Sequence, residues 1–264
     1  MKKKSLAILI ALLGVACLVC GGLLLFQQPK PTTVNPAPSA SPTASPTAGP
    51  TVQPTEEPQS SQPEATEEPY VSPIDFASLQ EQNPDIYGWL RIPNTEFDFP
   101  LVQREGDDSF YLTHNSGGEE DSAGAIFTES AYNSTDMEDP VTVAYGHQMH
   151  AGTMFGKLQA TYSQENALED YGEIIVYLPD REYHYQVFAA VPYDNRHILY
   201  NYDFTDSRRY NAFLNSIFEV RELGAVRNRE ISVTPEDHLL VLSTCLTGND
   251  NKRYLVLAKR QAEI

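Results

Sequence analysis

The sequence predicts a mostly β domain, folded as a closed barrel of short strands with helices in its connections. Short apolar runs recur between residues 70 and 264, and turn residues such as Pro93-Asn94 and Pro179-Asp180 separate them. One later segment has helical periodicity instead. Many short strands combined with one long helix are typical of a β-barrel with helical insertions.

The chain begins with a predicted membrane anchor. An uncharged apolar run fills residues 5–26, and Lys2–Lys4 precede it. At about 1.5 Å per residue, a helix of this length crosses a hydrocarbon core of about 30 Å. Because cationic residues stay on the cytoplasmic side, residues 1–28 are expected to be a cytoplasmic stub and a single-pass anchor, with the rest extracellular. A cleaved signal peptide fits less well, since no small-x-small site ends the run. A lipoprotein signal ending at Cys17 or Cys20 also fits poorly, because the residues before each cysteine do not match its pattern.

A tether is predicted between this anchor and the barrel. Residues 29–69 are dominated by Pro, Thr, Ser and Ala, and they contain almost nothing apolar to bury. Proline fixes φ and removes backbone donors, so an extended chain is favoured there. The folded domain is then expected over residues 70–264.

Two helices are predicted in that domain. Ser72-Pro73 precedes IDFASLQEQ, which indicates a short N-terminal helix with a serine cap and proline in its first turn. Between Thr205 and Leu223 the apolar residues follow the i, i+3, i+4, i+7, i+8 spacing of one helical face. Thr205 or Asp206 can cap this longer helix. Its apolar positions are Tyr210, Phe213, Leu214, Ile217 and Phe218.

Eight apolar runs are predicted to form the strands. They are rich in β-branched and aromatic residues, and turn residues bound them. In chain order they are GWLRI (88–92), FDFPLVQ (97–103), GAIFTES (124–130), VTVAYG (141–146), EIIVYLP (173–179), YHYQVFAAVPY (183–193), HLLVLSTC (238–245) and YLVLAKR (254–260).

The composition excludes some partners and cofactors. A formal net charge of −18 repels nucleic acid and anionic lipid, so no nucleic-acid partner is expected. The sequence has no G-x-S-x-G, H-E-x-x-H or phosphate-loop motif, and its six histidines are scattered. The acidic run Glu119–Asp121 lacks the oxygen spacing of a calcium loop. Neither a metal nor a cofactor is therefore predicted.

Cys245 is the predicted reactive group. Cys17 and Cys20 lie in the apolar run, so Cys245 is the one thiol of the exported part and has no disulfide partner there. It ends the apolar run LLVLSTC and precedes a polar turn, a position at a loop mouth where functional side chains are often presented. A buried structural cysteine is the alternative.

A thiol that attacks an amide needs an acid/base and a donor for the oxyanion. His147 directly follows the strand VTVAYG, and Gly146 is expected to let the chain turn sharply before it. Arg253 begins the strand after the Cys245 loop, so an antiparallel hairpin would bring it beside the thiol. Its guanidinium keeps its charge and offers a fork of donors. An exposed histidine and an ordinary surface arginine are the alternatives.

Three motifs resemble the sortases of Gram-positive bacteria. L-S-T-C, followed by a short loop and K-R-Y-L-V-L-A-K, resembles one family signature, and T-V-A-Y-G-H-Q-M followed by M-F-G-K-L resembles another. The block NPDIYGWLRIPNTEFDFPLVQ, then FYLTHN and AGAIFTES, is similar to class B sortases. The resemblance spans roughly residues 74–260.

The resemblance implies a fold and three catalytic roles. The fold is a sortase-type eight-stranded β-barrel with an N-terminal helix and a long helix before the cysteine strand. Cys245 is the implied nucleophile, His147 the general acid/base and Arg253 the oxyanion stabiliser. Ser243 and Thr244, beside the nucleophile, are expected to line the substrate groove.

The resemblance also implies a reaction and partners. A cysteine transpeptidase of this type cuts the C-terminal sorting pentapeptide of a surface protein after Thr. It then joins the acyl group to an amine of a cell-wall (peptidoglycan) peptide or of its lipid-linked precursor. The expected location is the cell membrane, reached through the N-terminal helix.

Three other functions stay open at this point. A pilin-polymerising sortase is one, although the tether carries no aromatic-anchored lid motif. An L,D-transpeptidase is disfavoured, because its signature has arginine two residues after the cysteine and Thr247 stands there. A non-enzymatic, tethered wall-binding module would leave Cys245, His147 and Arg253 uncoupled.

Overall fold

The computed structural model of the protein describes residues 70–261. The predicted anchor (1–28) and tether (29–69) lie outside the described residues. Among the helices that the structure describes, none is long and apolar enough to cross a bilayer.

The described chain forms one closed β-barrel. Its strands are β1 (Ile86–Arg91), β2 (Asp98–Val102), β3 (Ile126–Phe127), β4 (Val141–Tyr145), β5 (Glu173–Tyr177), β6 (Glu182–Asp194), β7 (Val226–Arg227), β8 (Leu239–Leu246) and β9 (Asn249–Arg260). The strand order is β5-β1-β2-β3-β4-β8-β9-β6, and pairing of β6 with β5 closes the ring. The two-residue β7 adds to the edge of β6. The predicted eight-stranded barrel is confirmed.

Helices fill the connections between the strands. They are α1 (Phe76–Gln82), α2 (Leu158–Tyr162), α3 (Ala167–Asp170), α4 (Ile198–Asn201) and α5 (Ser207–Phe218), with a 3₁₀ turn at Phe110–Leu112.

The barrel interior is a packed apolar core. Because successive side chains of a strand point to opposite faces, alternate residues of each strand enter the interior. Leu90 of β1, Leu101 of β2, Leu242 of β8 and Val256 of β9 have no solvent exposure there. Their burial fills this part of the interior with apolar side chains.

The N-cap of the short N-terminal helix lies three residues later than predicted. Asp75, and not Ser72, occupies the N-cap position, and its side chain accepts a hydrogen bond from the Ser78 backbone N–H at 3.1 Å. Aspartate is as good an N-cap as serine, so the predicted Ser72 cap is not needed to begin the helix. The helix then buries Phe76.

The long helix α5 covers part of the outer face of the barrel. Asp206 caps it through the N–H groups of Arg208 and Arg209, which decides between the two predicted caps. The predicted apolar stripe is buried or half-buried. It packs on outward-facing residues of β4, β6, β8 and β9 in a second apolar cluster. Helix α5 therefore covers the outer face of the strands on which the candidate site lies.

Several elements differ from the sequence prediction. The run GAIFTES contributes only the two residues of β3. Thr128 N–H still donates to the Val102 carbonyl of β2 and its hydroxyl contacts Tyr87, whereas Glu129 contacts His197. The strands β8 and β9 both extend into the segment expected to be a turn, so β9 begins at Asn249. Helices α2 to α4 and the strand β7 were not predicted, since four or five residues are too few to display a period.

His184 on β6 links the two strands that close the barrel. Its Nδ1 lies 2.8 Å from Glu173 of β5, and its Nε2 lies 2.9 Å from Glu182. Both ring nitrogens face carboxylates, so the charged imidazolium is favoured. Hydrogen bonds to Glu173 and then Glu182 raise the pKa of His184 above its ordinary value of 6.5.

We predict that this contact makes the stability of the barrel depend on pH. Because the pKa of His184 is higher in the folded state than its ordinary value, the charged His184 stabilises the fold fully below about pH 6.5. This stabilisation is lost as the pH rises through the pKa of His184 in the folded state. The variant His184→Gln should have a smaller fall in unfolding free energy over that range, measured by urea denaturation at several pH values. The exposed His150→Gln is the control and should retain the wild-type profile; equal profiles for all three proteins would contradict the prediction.

Candidate active site

Parallel pairing of β4 with β8 aligns His147 with Cys245. The ladder pairs Val141 with Leu239 and continues in step to Tyr145 with Ser243. Gly146 N–H then donates to the Ser243 carbonyl at 3.2 Å, so the pairing continues past the end of β4. The same register, extended by two residues, sets His147 level with Cys245. Parallel strands end at the same edge of a sheet, which brings the two residues to one end of the barrel.

The hairpin of β8 and β9 aligns Arg253 with Cys245. These two residues are direct antiparallel partners, as the sequence predicted from the hairpin. Details of the hairpin differ from the prediction: Cys245 is followed by one more strand residue, and the turn is only Thr247-Gly248. Residues 250–252 of β9 have no partner on β8, so β9 carries a three-residue bulge between the turn and Arg253.

Gly146 is needed for space and not for a turn. Its φ is not among the positive values of the described chain. A Cβ added there would lie 2.5 Å from Ile126 Cδ1 and 2.7 Å from Phe155 Cδ2. Glycine therefore lets the end of β4 pass close to these side chains, which fixes where His147 leaves the strand.

A cavity of about 450 Å³ opens at this end of the barrel. Strand alternation places Cys245 and Arg253 on the same outward face as Val241 and Leu255, beyond the part that α5 covers. All five residues singled out from the sequence line this cavity: His147, Ser243, Thr244, Cys245 and Arg253. The five residues therefore meet at one cavity, on the outside of the barrel wall.

Ser243 and Thr244 lie deep in the cavity wall. Their exposures are 4% and 3%. Ser243 shares the face of Cys245 by alternation, whereas the Thr244 side chain belongs to the interior face, where its Oγ1 is buried without a hydrogen-bond partner in the described chain. Ser243 is thus the better placed of the two to touch a bound molecule.

The imidazole of His147 is held by a backbone carbonyl. Its Nε2 lies 2.8 Å from the Leu112 carbonyl oxygen. A carbonyl only accepts, so Nε2 carries a proton and Nδ1 is left as the nitrogen that can take or give one. Gly124 packs against this contact, and a Cβ there would lie 3.1 Å from Leu112 O and 3.2 Å from His147 Cδ2.

The guanidinium of Arg253 is held by the bulge of β9. Its Nη1 donates to the carbonyls of Asp250 and Lys252 at 3.0 and 3.1 Å. Within residues 70–261 it forms no ion pair with a carboxylate. Its charge and remaining N–H groups are therefore available to a ligand. The neighbouring Lys252 pairs instead with Glu222 and does not line this cavity.

Sequence reasoning missed a group of cavity residues. Glu129 follows β3, Tyr145 ends β4, and His197 precedes α4. Burial, and then the nearby Glu129 carboxylate, raise the pKa of Tyr145 above its ordinary range. The one available signal was the two-residue spacing of Tyr145 and His147, which puts both on one face of β4.

The arrangement is suited to nucleophilic catalysis at a carbonyl. It combines a half-buried free thiol, a histidine with one open nitrogen, and a cation without a carboxylate partner. Among residues 70–261 no group of three or more His, Cys, Asp or Glu side chains is placed to hold a metal ion.

Comparison with known proteins decides the family. The family model "Sortase domain" matches residues 90–261. The chain belongs to the sortase family. Sortases are cysteine transpeptidases, so it is an enzyme of that kind.

Relatives of this sortase are of class B, as the sequence predicted. Sortase B of Listeria monocytogenes is 28% identical over 190 residues, which cover 68% of this chain and 70% of the relative. The crystal structure of Clostridium perfringens sortase B superposes with a TM-score of 0.61 at 26% identity, covering 70% of this chain and 99% of that one. A Staphylococcus aureus sortase B–substrate complex gives a TM-score of 0.60 at 27% identity, covering 70% and 84%.

We predict that Gly124→Ala disturbs both the fold and the site of this sortase. Gly124 has φ +63°, and an added Cβ would lie 2.5 Å from Tyr111 O and press on Leu112 and His147. We expect unfolding free energy to fall by about 2 kcal/mol or more, from backbone strain and crowding together. The rate of peptide cleavage should fall as well, because the carbonyl that holds His147 moves.

Gly106→Ala is the matched control for this variant. Its φ is +78°, but nothing lies within 4 Å of an added Cβ. It should lose only about 1 kcal/mol from the left-handed backbone and retain the wild-type cleavage rate. Chemical denaturation and a peptide-cleavage assay measure both effects. Equal behaviour of the two variants would mean that the contact of Gly124 with the histidine segment has no influence on the site.

Proposed function

We propose that this sortase cleaves the C-terminal sorting motif of surface proteins after Thr and joins the acyl group to a cell-wall peptide amine. The observation that carries the proposal is the alignment of Cys245, His147 and Arg253 on three neighbouring strands at one cavity. In this proposal Cys245 is the nucleophile, His147 the general acid/base, and Arg253 the oxyanion stabiliser.

The first half of the reaction forms a thioester. The Cys245 thiol passes its proton to Nδ1 of His147, and the thiolate sulfur bonds to the carbonyl carbon of Thr. The tetrahedral oxyanion pairs with the N–H groups of Arg253 that the bulge leaves free. The C–N bond then breaks, and His147 gives a proton from Nδ1 to the leaving amine. The products are the acyl-enzyme and the released C-terminal peptide.

The second half transfers the acyl group to an amine. The amine nitrogen bonds to the thioester carbon, His147 takes the proton of the amine through Nδ1, and the C–S bond breaks to release the thiolate. The product is a new amide. The thiolate takes the proton back from Nδ1 of His147, and the enzyme returns to its starting protonation state. Water in place of the amine gives a hydrolysed peptide instead.

Several features support the partners in this proposal. The S. aureus sortase B that this chain resembles has been solved with a substrate. Ser243 lines the cavity beside Cys245 and is the proposed contact for the peptide, with Thr244 behind it. The acceptor proposed is an amine of a peptidoglycan peptide or its lipid-linked precursor, which lies where an extracellular domain on a membrane anchor would work. The apolar run at 5–26 and the lysines before it support that location.

The first test separates transpeptidation from proteolysis and from simple wall binding. With a fluorogenic pentapeptide library in which Thr is fixed at the fourth position, we expect cleavage by residues 70–264 and none by Cys245→Ala. Adding triglycine should raise total turnover and convert the acid product to an amide, as followed by mass spectrometry. If no amine changes the ratio of amide product to acid product, the enzyme is a hydrolase. Cleavage by Cys245→Ala would contradict the assignment of Cys245 as the nucleophile.

The second test concerns Arg253. Losing one oxyanion donor typically lowers kcat about 100- to 1000-fold, or ~2.7–4 kcal/mol. We predict that Arg253→Ala falls at or beyond this range. The variant Arg253→Lys should recover only part of the rate, because the ammonium restores charge without the planar fork of donors.

Lys252→Ala is the internal control for Arg253. Lys252 pairs with Glu222 on the other side of β9, at the surface, so its loss should leave kcat/KM close to wild type. All three variants are compared on one peptide, with folding checked by circular dichroism. A damaged Lys252→Ala together with an active Arg253→Ala would move the oxyanion role to another residue.

A further inference from the structure

One wall of the cavity is an irregular connector between β6 and α4. Residues 195–198 line the cavity, yet they belong to neither a strand nor, before Ile198, a helix. A segment without a hydrogen-bonded ladder keeps its place through side-chain contacts. The shape of the cavity therefore depends on what holds this connector, which we call the 195–198 connector.

His197 is the residue that ties the connector to the rest of the site. Its Nε2 lies 2.8 Å from Oε2 of Glu129, which comes from the segment after β3. The Tyr132 ring lies 4.8 Å from the His197 ring, centroid to centroid, and the Tyr145 ring lies 6.3 Å away. Contacts with Glu129, Tyr132 and Tyr145 thus join the connector to the segments around β3 and β4.

The protonation of His197 follows from its second contact. Its Nδ1 accepts a hydrogen bond from the Tyr200 backbone N–H at 3.1 Å and so caps α4. A nitrogen that accepts carries no proton, so in this arrangement Nε2 carries the hydrogen of a neutral imidazole. The protonated Nε2 of His197 therefore lies 2.8 Å from Glu129 Oε2, a short polar contact that does not require an imidazolium.

The Glu129 carboxylate is largely shielded from bulk solvent. Its side chain is only 15% exposed, it lines the same cavity as Cys245, and its buried Oε2 accepts no well-aligned hydrogen bond from the described residues, although His197 Nε2 lies 2.8 Å away. Holding a carboxylate there is unfavourable unless a donor faces it. The neighbouring carboxylate Asp194 is engaged by Arg196, and Asp108 by the Ser130 and Ala131 N–H groups. The groups left near Glu129 are the His197 Nε2–H, at 2.8 Å, and the Tyr145 hydroxyl, which lies beside the carboxylate.

We propose that Glu129 and His197 form a clamp that holds the 195–198 connector in position to bind the sorting peptide. They are positioning residues for the peptide, and they take no part in the chemistry at the thioester. The proposal rests on the proposed function, because it assumes that the peptide occupies the cavity beside Cys245. Losing the clamp weakens peptide binding, while the attack of the amine on the acyl-enzyme is unaffected.

A different role for Glu129 is a contact with the ammonium group of the acceptor. Since peptide and amine react in separate half-reactions, their KM values separate the two roles. A positioning clamp changes the KM for the peptide, whereas an ammonium site changes the KM for the amine.

The experiment uses three substitutions in the domain of residues 70–264. Glu129→Gln keeps a carbonyl acceptor for the neutral His197 N–H and should stay within about threefold of wild type. Glu129→Ala removes the acceptor and should raise the KM for the peptide about tenfold, or ~1.4 kcal/mol, with kcat changed less than about threefold. His197→Asn retains a good helix cap for α4 but is too short to reach Glu129, so it should match Glu129→Ala.

Both KM values are measured with the best-cleaved peptide of the Thr-fixed library and with triglycine as the amine. The double variant Glu129→Ala/His197→Asn should be no worse than either single variant, because each removes the same contact. Glu105→Ala is the control, an exposed glutamate that does not line the cavity, and it should behave as wild type. An additive double variant, or a changed KM for triglycine with an unchanged KM for the peptide, overturns the clamp.

A binding measurement keeps failure of the clamp distinct from failure of the proposed function. In the Cys245→Ala background, the fluorescent peptide should bind about tenfold more weakly when Glu129→Ala is added, with thermal melting used to confirm folding. If peptide binds the parent and the added substitution has no effect, the clamp is wrong while the function stands. If wild type neither cleaves nor binds any library peptide, the proposed function is wrong and the clamp falls with it.

Discussion

The register between β4 and β8 is the constraint on which the site depends. The two strands are parallel neighbours although 93 residues separate Tyr145 from Leu239 in the chain. A parallel pair requires a crossover, and here the crossover contains β5, β6, β7 and four helices. A slip of one residue would turn Cys245 or His147 toward the packed interior. The large apolar surfaces on both faces of these strands therefore hold the cysteine and the histidine at the same level.

The outer apolar cluster explains why the cavity lies where it does. β4, β8 and β9 are covered on the inside by the barrel core and on the outside by α5. Helix α5 stops short of the strand ends, so the outward face continues beyond it into Tyr145, Cys245 and Arg253. Polar and reactive side chains can replace apolar ones only at this uncovered end. The 195–198 connector then closes the side of the cavity that no regular element reaches.

Much of this arrangement could be predicted from the sequence, because the signals were long or chemically distinct. The apolar stripe from Tyr210 to Phe218 specified α5, and the hairpin after Cys245 specified its pairing with Arg253. Glu129 and His197 escaped prediction, since they lie in irregular segments and meet only through the tertiary fold. The role of Gly146 was misread for a related reason: the sequence suggests a turn, whereas the need is for space beside Ile126 and Phe155. Close packing between distant segments leaves no periodic pattern in the sequence.

The bulge of β9 has a consequence for how the sequence of this loop can change. The Arg253 guanidinium is oriented by the carbonyl groups of residues 250 and 252, and not by their side chains. Every amino acid supplies the same carbonyl, so mutational drift at Asp250 or Asn251 leaves the orientation of the arginine intact. The length and path of the bulge are under constraint, while its composition is free. Relatives that differ here in charge or polarity can therefore keep the same site geometry while presenting a different surface at the mouth of the cavity.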